Sequence, residues 1–471
     1  LPKRDVYDEA IAAGIPVNLG WSGWFSEEAW DLVVTNPAVP KGHEKLCEAV
    51  QSGRQVISEV EFAYRISRAP IVAITGTNGK STTTVMTMLC LRAGGIDAVL
   101  CGNIFGSGYP EIPLTEAALR STPEQVLVAE ISSFQLEWVV EFDPIVAGIT
   151  NITPDHLDRH PTFADYAETK HRIFAAQSSR DFAVVRANDP VVHVPGAKRT
   201  AYRPRHSRRT EIAAEEPASA PTVLTFGATG EHARVEENEL AVLHRHIKID
   251  SLPFREPHNL TNAAMACLLA YAVLAVRANQ DPESDAAELL YEAEKEYRRT
   301  NRRSVYDSRV PEEHPFRVLP DKIIEGLMQF RGLAHRMEWL GERGGVRVVN
   351  NSMCTNPDAV IKSAQSIRDR THLLIGGVNK GLDFKPLAHY LANHRNKAYL
   401  FGTDGNTLDN MLGGGYPVFA TLNLAFEAAT REARPGEVIM LAPGCASTDQ
   451  FRDFRERGEV FKAMAKEWLE S

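Results

Sequence analysis

Thr75-Gly76-Thr77-Asn78-Gly79-Lys80-Ser81-Thr82 is the segment of this 471-residue chain that speaks most directly of chemistry. Its glycines let backbone N–H groups approach a phosphate, Lys80 adds positive charge, and a hydroxyl at Ser81 or Thr82 can reach Mg²⁺. The general pattern G-x-x-x-x-G-K-[ST] is not met in full, because its first glycine would fall at Ile74. Two other segments offer ligands of a suitable kind. Glu130 closes the apolar run Val126-Leu127-Val128-Ala129, and a carboxylate at the end of a buried strand can hold a hard cation. Residues 151–160 follow a third apolar run, 145–149, and carry Asp155, His156 and Asp158 to a comparable position. His156 alone would read as a surface histidine. Three successive strand ends that deliver phosphate donors, a carboxylate and a histidine read as a metal and phosphate site.

Lys170 adds a fourth element. At helical spacing Phe163, Tyr166, Lys170 and Ile173 share one face, while Glu168 and Arg172 lie elsewhere, so Lys170 is expected on the apolar side. Burial lowers an amine's pKa. A neutral lysine amine reacts with CO₂, and the carbamate formed is an oxygen ligand suited to Mg²⁺. The competing expectation is a lysine whose stem packs while its ammonium reaches water.

These residues need a scaffold of buried parallel strands. Ile71-Val72-Ala73-Ile74-Thr75 and the runs ending at Glu130 and Ile149 alternate with helical stretches, the pattern of a nucleotide-binding α/β domain. Before it, strands at 31–35 and 55–57 flank a helical stretch and read as the later part of another α/β domain. From Gly196 to Glu256, short alternating segments such as 222–226 and 240–243 predict a small antiparallel annex. A helix over 260–275 follows, then a charge-dense stretch of about 281–320 that reads as a surface insertion. Runs at 346–349, 373–375, 398–401 and 438–441 predict a second doubly wound sheet. The expected domains are 1–68, 69–328 and 329–471.

Composition bounds the partners. Acidic residues (61) exceed basic ones (52), so no global positive field exists to hold nucleic acid or an anionic membrane. No run of about 20 consecutive apolar residues is present, and a cytoplasmic protein without membrane insertion is expected. Six scattered cysteines without a C-x-x-C pair argue against a disulfide framework or a cysteine zinc site. A monomer is the expected state.

The loop at 75–82 resembles that of the Mur ligase family, the ATP-dependent ligases that add amino acids to UDP-N-acetylmuramoyl precursors of peptidoglycan. The likeness extends through Gly102-Asn103-Ile104, Glu130-Ile131-Ser132-Ser133-Phe134-Gln135-Leu136-Glu137, Asp155-His156-Leu157-Asp158 and the helix of Lys170. It continues through 258–262, 334–336, 376–380 and 445–451 in the same order. The run from Glu130 is similar to that of the members that add D-glutamate to UDP-N-acetylmuramoyl-L-alanine.

The resemblance implies a three-domain α/β architecture: an incomplete N-terminal Rossmann-like domain, a central P-loop ATPase-like domain and a C-terminal Rossmann-like domain. It implies ATP, two Mg²⁺ sites and an acyl-phosphate intermediate. Lys80, Glu130, His156 and Lys170 would be catalytic. Ser81 or Thr82 with Glu130 would hold one Mg²⁺, and His156 with carbamylated Lys170 the other. Gly76, Thr77, Asn78, Gly79, Lys80, Ser81, Thr82, Asn259, Asn262, Arg336 and Asn351 would bind ATP. Thr355, Lys380, Ser447 and Phe454 would position the amino acid, and Asn103, Ser132 and Gln135 the muramoyl-alanine arm. Nucleotide partners in two domains imply closure about a hinge near Gly332.

Three departures from the family pattern stand out. Asn351-Ser352-Met353-Cys354-Thr355-Asn356 replaces Asp-Ser-Lys-Ala-Thr-Asn, Glu256 stands in place of a glycine, and the Gly-rich first loop of the UDP site is not in this sequence, which opens on Leu1. The rival expectations are a Mur-like ligase for another amino acid such as L-glutamate, a folylpolyglutamate synthetase, and an ATP-binding homologue impaired in ligation.

Overall fold

The structure, a computed structural model, describes residues 4–25, 30–156, 159–196, 220–300 and 318–471, with the side chains of residues 4–7 left aside. Asp158, part of the expected annex and residues 301–317 of the charged stretch therefore lie outside the described residues. The chain divides into two compact units, Leu1–Asn103 with Ile112–Met328, and Ile104–Glu111 with Gln329–Ser471.

The first unit opens with α1 (Arg4–Ala12), β1 (Leu32–Thr35), α2 (Glu44–Gln51), β2 (Gln55–Ser58) and α3 (Glu59–Ile66). β1 and β2 pair in parallel as a separate two-stranded sheet around Val33, Leu46, Ala49 and Val56. Ser58 ends β2 and caps α3, its hydroxyl accepting the Glu61 N–H at 3.3 Å. That side chain satisfies one of the helix's orphan donors.

The unit continues with β3 (Ile71–Thr75), α4 (Lys80–Ala93), β4 (Ala98–Gly102), α5 (Leu114–Arg120), β5 (Val126–Glu130), α6 (Ser133–Leu136), β6 (Val146–Ile149), α7 (Phe163–His171) and β7 (Phe182–Arg186). It closes with β8 (Thr222–Phe226), β9 (Ala233–Val235), β10 (Glu239–Val242), β11 (Arg245–Lys248), α8 (Pro257–Gln280), α9 (Asp285–Thr300) and α10 (Asp321–Met328). One nine-stranded sheet runs β11-β10-β9-β8-β7-β6-β3-β5-β4. Strands β3, β5 and β6 are buried along their whole length, as expected for parallel strands covered on both faces. The order places β3 between β5 and β6, so the phosphate loop, Glu130 and the segment from Thr150 leave the same edge side by side.

One expectation needs correction. The segment 222–226 does not open an antiparallel annex: β8 pairs in parallel with β7, Phe182 opposite Thr222, and among the described residues of this sheet only the β9-β10-β11 ribbon is antiparallel. Alternation along a strand reports a half-covered face, and parallel and antiparallel strands share it. The part of the charge-dense stretch that is described, expected as a surface insertion, is largely helical. Residues 285–300 form α9, with Ala286, Ala287, Leu290 and Ala293 buried and the charges on the opposite face. Four small or apolar side chains at helical spacing suffice to seat a helix whose other positions are charged.

Helix α8 has the length and apolarity of a membrane-spanning helix, yet 89% of its most apolar window is buried inside this unit. It passes so close to β6 that a Cβ on Gly148 would stand 2.3 Å from Met265 Cε.

The second unit contains β12 (Glu338–Arg343), β13 (Val346–Asn350), α11 (Pro357–Ser366), β14 (Thr371–Gly376), α12 (Lys385–Asn393), β15 (Lys397–Phe401), α13 (Gly405–Met411), β16 (Val418–Phe419), α14 (Leu422–Glu432), β17 (Val438–Gly444) and α15 (Phe454–Glu470). Its six-stranded sheet runs β12-β13-β17-β14-β15-β16, and every pairing but β12 with β13 is parallel. Apolar clusters cover both faces, one centred on Leu373, Leu387 and Met440, the other on Leu374, Phe426 and Phe461. This is the expected doubly wound sheet.

Candidate active site

Between β3 and α4 the chain must turn sharply while keeping its backbone open to a ligand. Gly76 and Gly79 do this at φ +144° and +85°, values that side chains rarely adopt. Space forbids a side chain as well: a Cβ would lie 1.9 Å from Thr150 Oγ1 at Gly76 and 2.4 Å from Asn262 Oδ1 at Gly79. The loop is braced from β6. Thr150 Oγ1 and Asn151 Nδ2 donate to the Asn78 carbonyl at 2.6 and 2.9 Å, and Asn151 Oδ1 accepts the Asn78 N–H at 3.1 Å. The Thr77 hydroxyl lies 3.1 Å from the Tyr166 hydroxyl and donates to the Thr153 carbonyl at 3.1 Å. Lys80 folds back and donates to the Thr77 carbonyl at 3.0 Å, while Ser81 and Thr82 are buried in the first turn of α4. A preformed loop of this kind binds a phosphate without first having to be ordered.

Glu130 is buried at the end of β5. Its Oε1 accepts from Asn103 Nδ2 at 3.2 Å, and its Oε2 is buried without a hydrogen-bond partner. An orphaned buried carboxylate oxygen beside a phosphate loop is the donor chemistry that a hard divalent cation satisfies, so these residues fit Mg²⁺. Lys170 is 1% exposed, and its amine donates to the Gly76 carbonyl at 2.9 Å and lies 3.3 Å from Thr75 Oγ1. Burial holds this amine well below the usual lysine range. The charge on Lys80 pushes the same way, and Asp155 and Glu130 oppose it. The packed face predicted for this helix is present, since Tyr166 and Ile173 are buried with Lys170. The amine does not reach water.

His156 is half-exposed at φ +52°, with its Nε2 3.8 Å from Asp155 Oδ2 and its ring 5.0 Å from that of Phe134. Asn262 stands against Gly79, whereas Asn259, one turn earlier on α8, donates to Glu256 Oε2 at 3.1 Å. Ser132 and Gln135 are held in a capping box at the start of α6, and Gln135 Nε2 donates to Glu59 Oε2 at 3.3 Å. Asn103 holds Glu130 rather than facing away from it, a contact that the spacing of the two residues does not reveal.

In the second unit the other expected residues gather at the carboxyl ends of β13, β17 and β14, which are neighbours in the sheet. Thr355 follows β13, Ser447 follows β17 and is buried, and Lys380 follows β14 and is exposed. The Asn351 side chain accepts the Met337 N–H at 3.2 Å and donates to Ser363 Oγ at 2.8 Å, and Arg336 Nε lies 3.3 Å from Met353 Sδ. The Phe454 carbonyl accepts from Ser352 Oγ at 2.7 Å.

Sequence reasoning missed Thr150, Asn151 and Tyr166 as supports of the loop, and Arg457 as support of the second edge. Arg457 is fully buried and donates to Ser352 Oγ, the Ser352 carbonyl and the Cys445 carbonyl at 3.0, 2.9 and 3.2 Å. It therefore ties the chain after β13 to the chain after β17. Burial pushes its pKa down to about 10, which still leaves it charged at neutral pH. Tyr166 was legible as a member of the Lys170 face, but nothing local in the sequence marks the others.

Comparison with known proteins accords with this geometry. Residues 74–270 match the Mur ligase middle domain, and residues 335–445 match the Mur ligase, glutamate ligase domain. The chain is 34% identical to the UDP-N-acetylmuramoylalanine--D-glutamate ligase of Pelotomaculum thermopropionicum, over 97% of this chain and 88% of that protein. It is 35% identical to the protein of the same name from Geobacter metallireducens, over 92% and 83% of the two chains. Among solved structures, the MurF ligase of Thermotoga maritima in complex with ADP shares the fold at a TM-score of 0.52, with 16% identity over 95% of this chain and 98% of that one. With family domains matched in each unit and relatives aligned along most of its length, the chain belongs to the Mur ligase family.

Proposed function

We propose that this chain is an ATP-dependent ligase that joins D-glutamate to UDP-N-acetylmuramoyl-L-alanine in peptidoglycan precursor synthesis. The observation that carries the reading is the meeting of the Gly76–Lys80 loop, the unpartnered Glu130 Oε2 and the buried Lys170 amine at adjoining strand ends. The names of its relatives supply the substrates, and the ADP-bound fold neighbour supports the nucleotide. Residues 69–328 would serve ATP, 329–471 the amino acid and 1–68 the uridine end of the precursor. The enzyme would act in the cytoplasm as a monomer, without nucleic acid or membrane insertion.

A carboxylate is a poor electrophile, so the alanyl carboxylate must first attack the γ-phosphorus of ATP. Acyl phosphate forms and ADP leaves; the glutamate amine then attacks the acyl carbon, an amide forms and phosphate departs. Backbone N–H groups of the loop and the Lys80 ammonium hold the phosphates in line and balance their charge. Asn259 and Asn262 of the first unit, with Arg336 and Asn351 of the second, would position the nucleotide. Mg²⁺, held by Ser81 or Thr82 with Glu130 and by His156 with Lys170 as its carbamate, would neutralise charge on the transferred group. Lys380, Thr355, Ser447 and Phe454 would receive the amino acid, and Asn103, Ser132 and Gln135 the muramoyl arm.

One observation keeps a second reading open. Met353, lying against Arg336, stands where the family pattern has lysine, and this favours testing L-glutamate as acceptor. Phosphate release is to be measured with UDP-N-acetylmuramoyl-L-alanine, ATP, Mg²⁺ and a panel of amino acids. Greatest turnover with D-glutamate supports the proposal, greater turnover with L-glutamate replaces its acceptor, and ATP binding without ligation rejects it.

A further inference from the structure

Away from the phosphate loop, α7 and the segment after β7 bring together Glu168, His171 and His193, whose ligand atoms all lie within 4.8 Å of one another. His171 is 4% exposed, and its Nδ1 is buried without a hydrogen-bond partner, 3.8 Å from Glu168 Oε2. The rings of His171 and His193 have centroids 3.9 Å apart. His193 is held in place rather than trailing in solvent. Its neighbours Val192 and Val194 are buried, and Asp189 Oδ1 fixes the turn by accepting the Val191 and Val192 N–H groups at 2.9 and 3.1 Å. The His193 Nδ1 lies 3.4 Å from the Val191 carbonyl, a contact that favours the tautomer with a free Nε2 lone pair.

We propose that Glu168, His171 and His193 form a binding site for a first-row transition-metal ion of the Zn²⁺ type, separate from the catalytic Mg²⁺ sites. Two imidazoles and one carboxylate with a fourth position left for water are a donor set that Zn²⁺ accepts and Mg²⁺ does not favour. Zinc bonds of about 2.0–2.1 Å place tetrahedral donors about 3.4 Å apart, so the exposed Glu168 and His193 side chains must draw inward by about 1 Å. His171 Nε2 accepts the His193 N–H at 3.4 Å, and binding of the ion at Nδ1, which moves that ring's proton to Nε2, replaces this contact. The bound ion clips α7 to the segment following β7. Since α7 carries Lys170, the clip also steadies the helix behind the phosphate loop.

Titration of the full chain with Co²⁺ in the presence of saturating Mg²⁺ tests this, read by the visible absorption of the bound Co²⁺. One equivalent should bind, Zn²⁺ should displace it, and Zn²⁺ should raise Tm. His193→Ala, at an exposed position, should weaken Co²⁺ binding at least about 100-fold, because losing even an outer partner of a ligand costs 10–100-fold, and its far-UV circular dichroism should match the wild type. Glu130→Gln should leave the spectrum unchanged. A spectrum retained at wild-type affinity in His193→Ala, or one lost in Glu130→Gln, overturns the site. Neither readout depends on ligase activity.

Discussion

Replacing Lys170 by methionine separates what this residue does for stability from what it does for catalysis. Methionine has a similar shape, so packing changes by less than about 1.5 kcal/mol. The substitution removes the hydrogen bond to the Gly76 carbonyl at 2.9 Å, worth about 1 kcal/mol, and leaves that buried carbonyl short of a donor at a cost of about 1–3 kcal/mol. Against this stands the amine itself, which burial and the charge of Lys80 hold well below its ordinary pKa. Between the folded pKa and the unfolded value the unfolded chain binds one more proton than the folded one. Stability of the wild type therefore rises with pH across that window by about 1.4 kcal/mol per unit, and falls by the same amount as pH drops.

Lys170→Met lacks this term. Urea unfolding of both proteins in CO₂-free buffers from pH 8 to 10 should show the wild type gaining on the variant as pH rises, at up to that slope. Bicarbonate at pH 8 should stabilise the wild type and leave the variant unmoved, because only an amine can form the carbamate. Activity should be nearly abolished in Lys170→Met and Lys170→Ala, and acetate should partly restore the latter. Parallel stability curves, with a difference constant to within about 0.5 kcal/mol, would refute the argument that this amine is neutral in the fold.

Gly79→Ala should destabilise the protein by about 1–2 kcal/mol from its left-handed backbone alone, and more from the 2.4 Å approach of its Cβ to Asn262 Oδ1. It should also raise the KM for ATP. Asn262→Ala should recover part of the stability in the double variant; strictly additive losses in thermal unfolding would show that the approach carries no energy. In the second unit, burial lowers the pKa of His372, although its Nε2 lies 2.8 Å from Glu437 Oε2. Below about pH 6.5 the unfolded chain binds the proton first, so stability falls with pH until the folded pKa is passed. His372→Gln should flatten this acid limb by up to about 1.4 kcal/mol per pH unit, and an unchanged difference between pH 5 and 6.5 would count against it.

Residue type and local period were enough to place β3, β5 and β6 and to mark the glycine-rich turn between β3 and α4. They also put Lys170 on a buried face, because each of these features depends on neighbours within one turn or one strand. The order of motifs along the chain was enough to indicate the family. Tertiary structure alone decided which strand ends adjoin. The chain reaches β5 and β6 in succession, but the sheet inserts β3 between them, and only this places Glu130 and Thr150 on either side of the loop. The direction of β8 and the seat of α9 were hidden for a related reason: alternation and charge density describe which face meets water, and say nothing of which element covers the other face. Asn103 on Glu130, Tyr166 on Thr77, Arg457 between two strand ends and His193 against His171 each join residues separated by at least 12 positions. Such contacts leave no period in the sequence, since their partners are fixed by the packing of whole elements and not by the conformation of the chain near either residue.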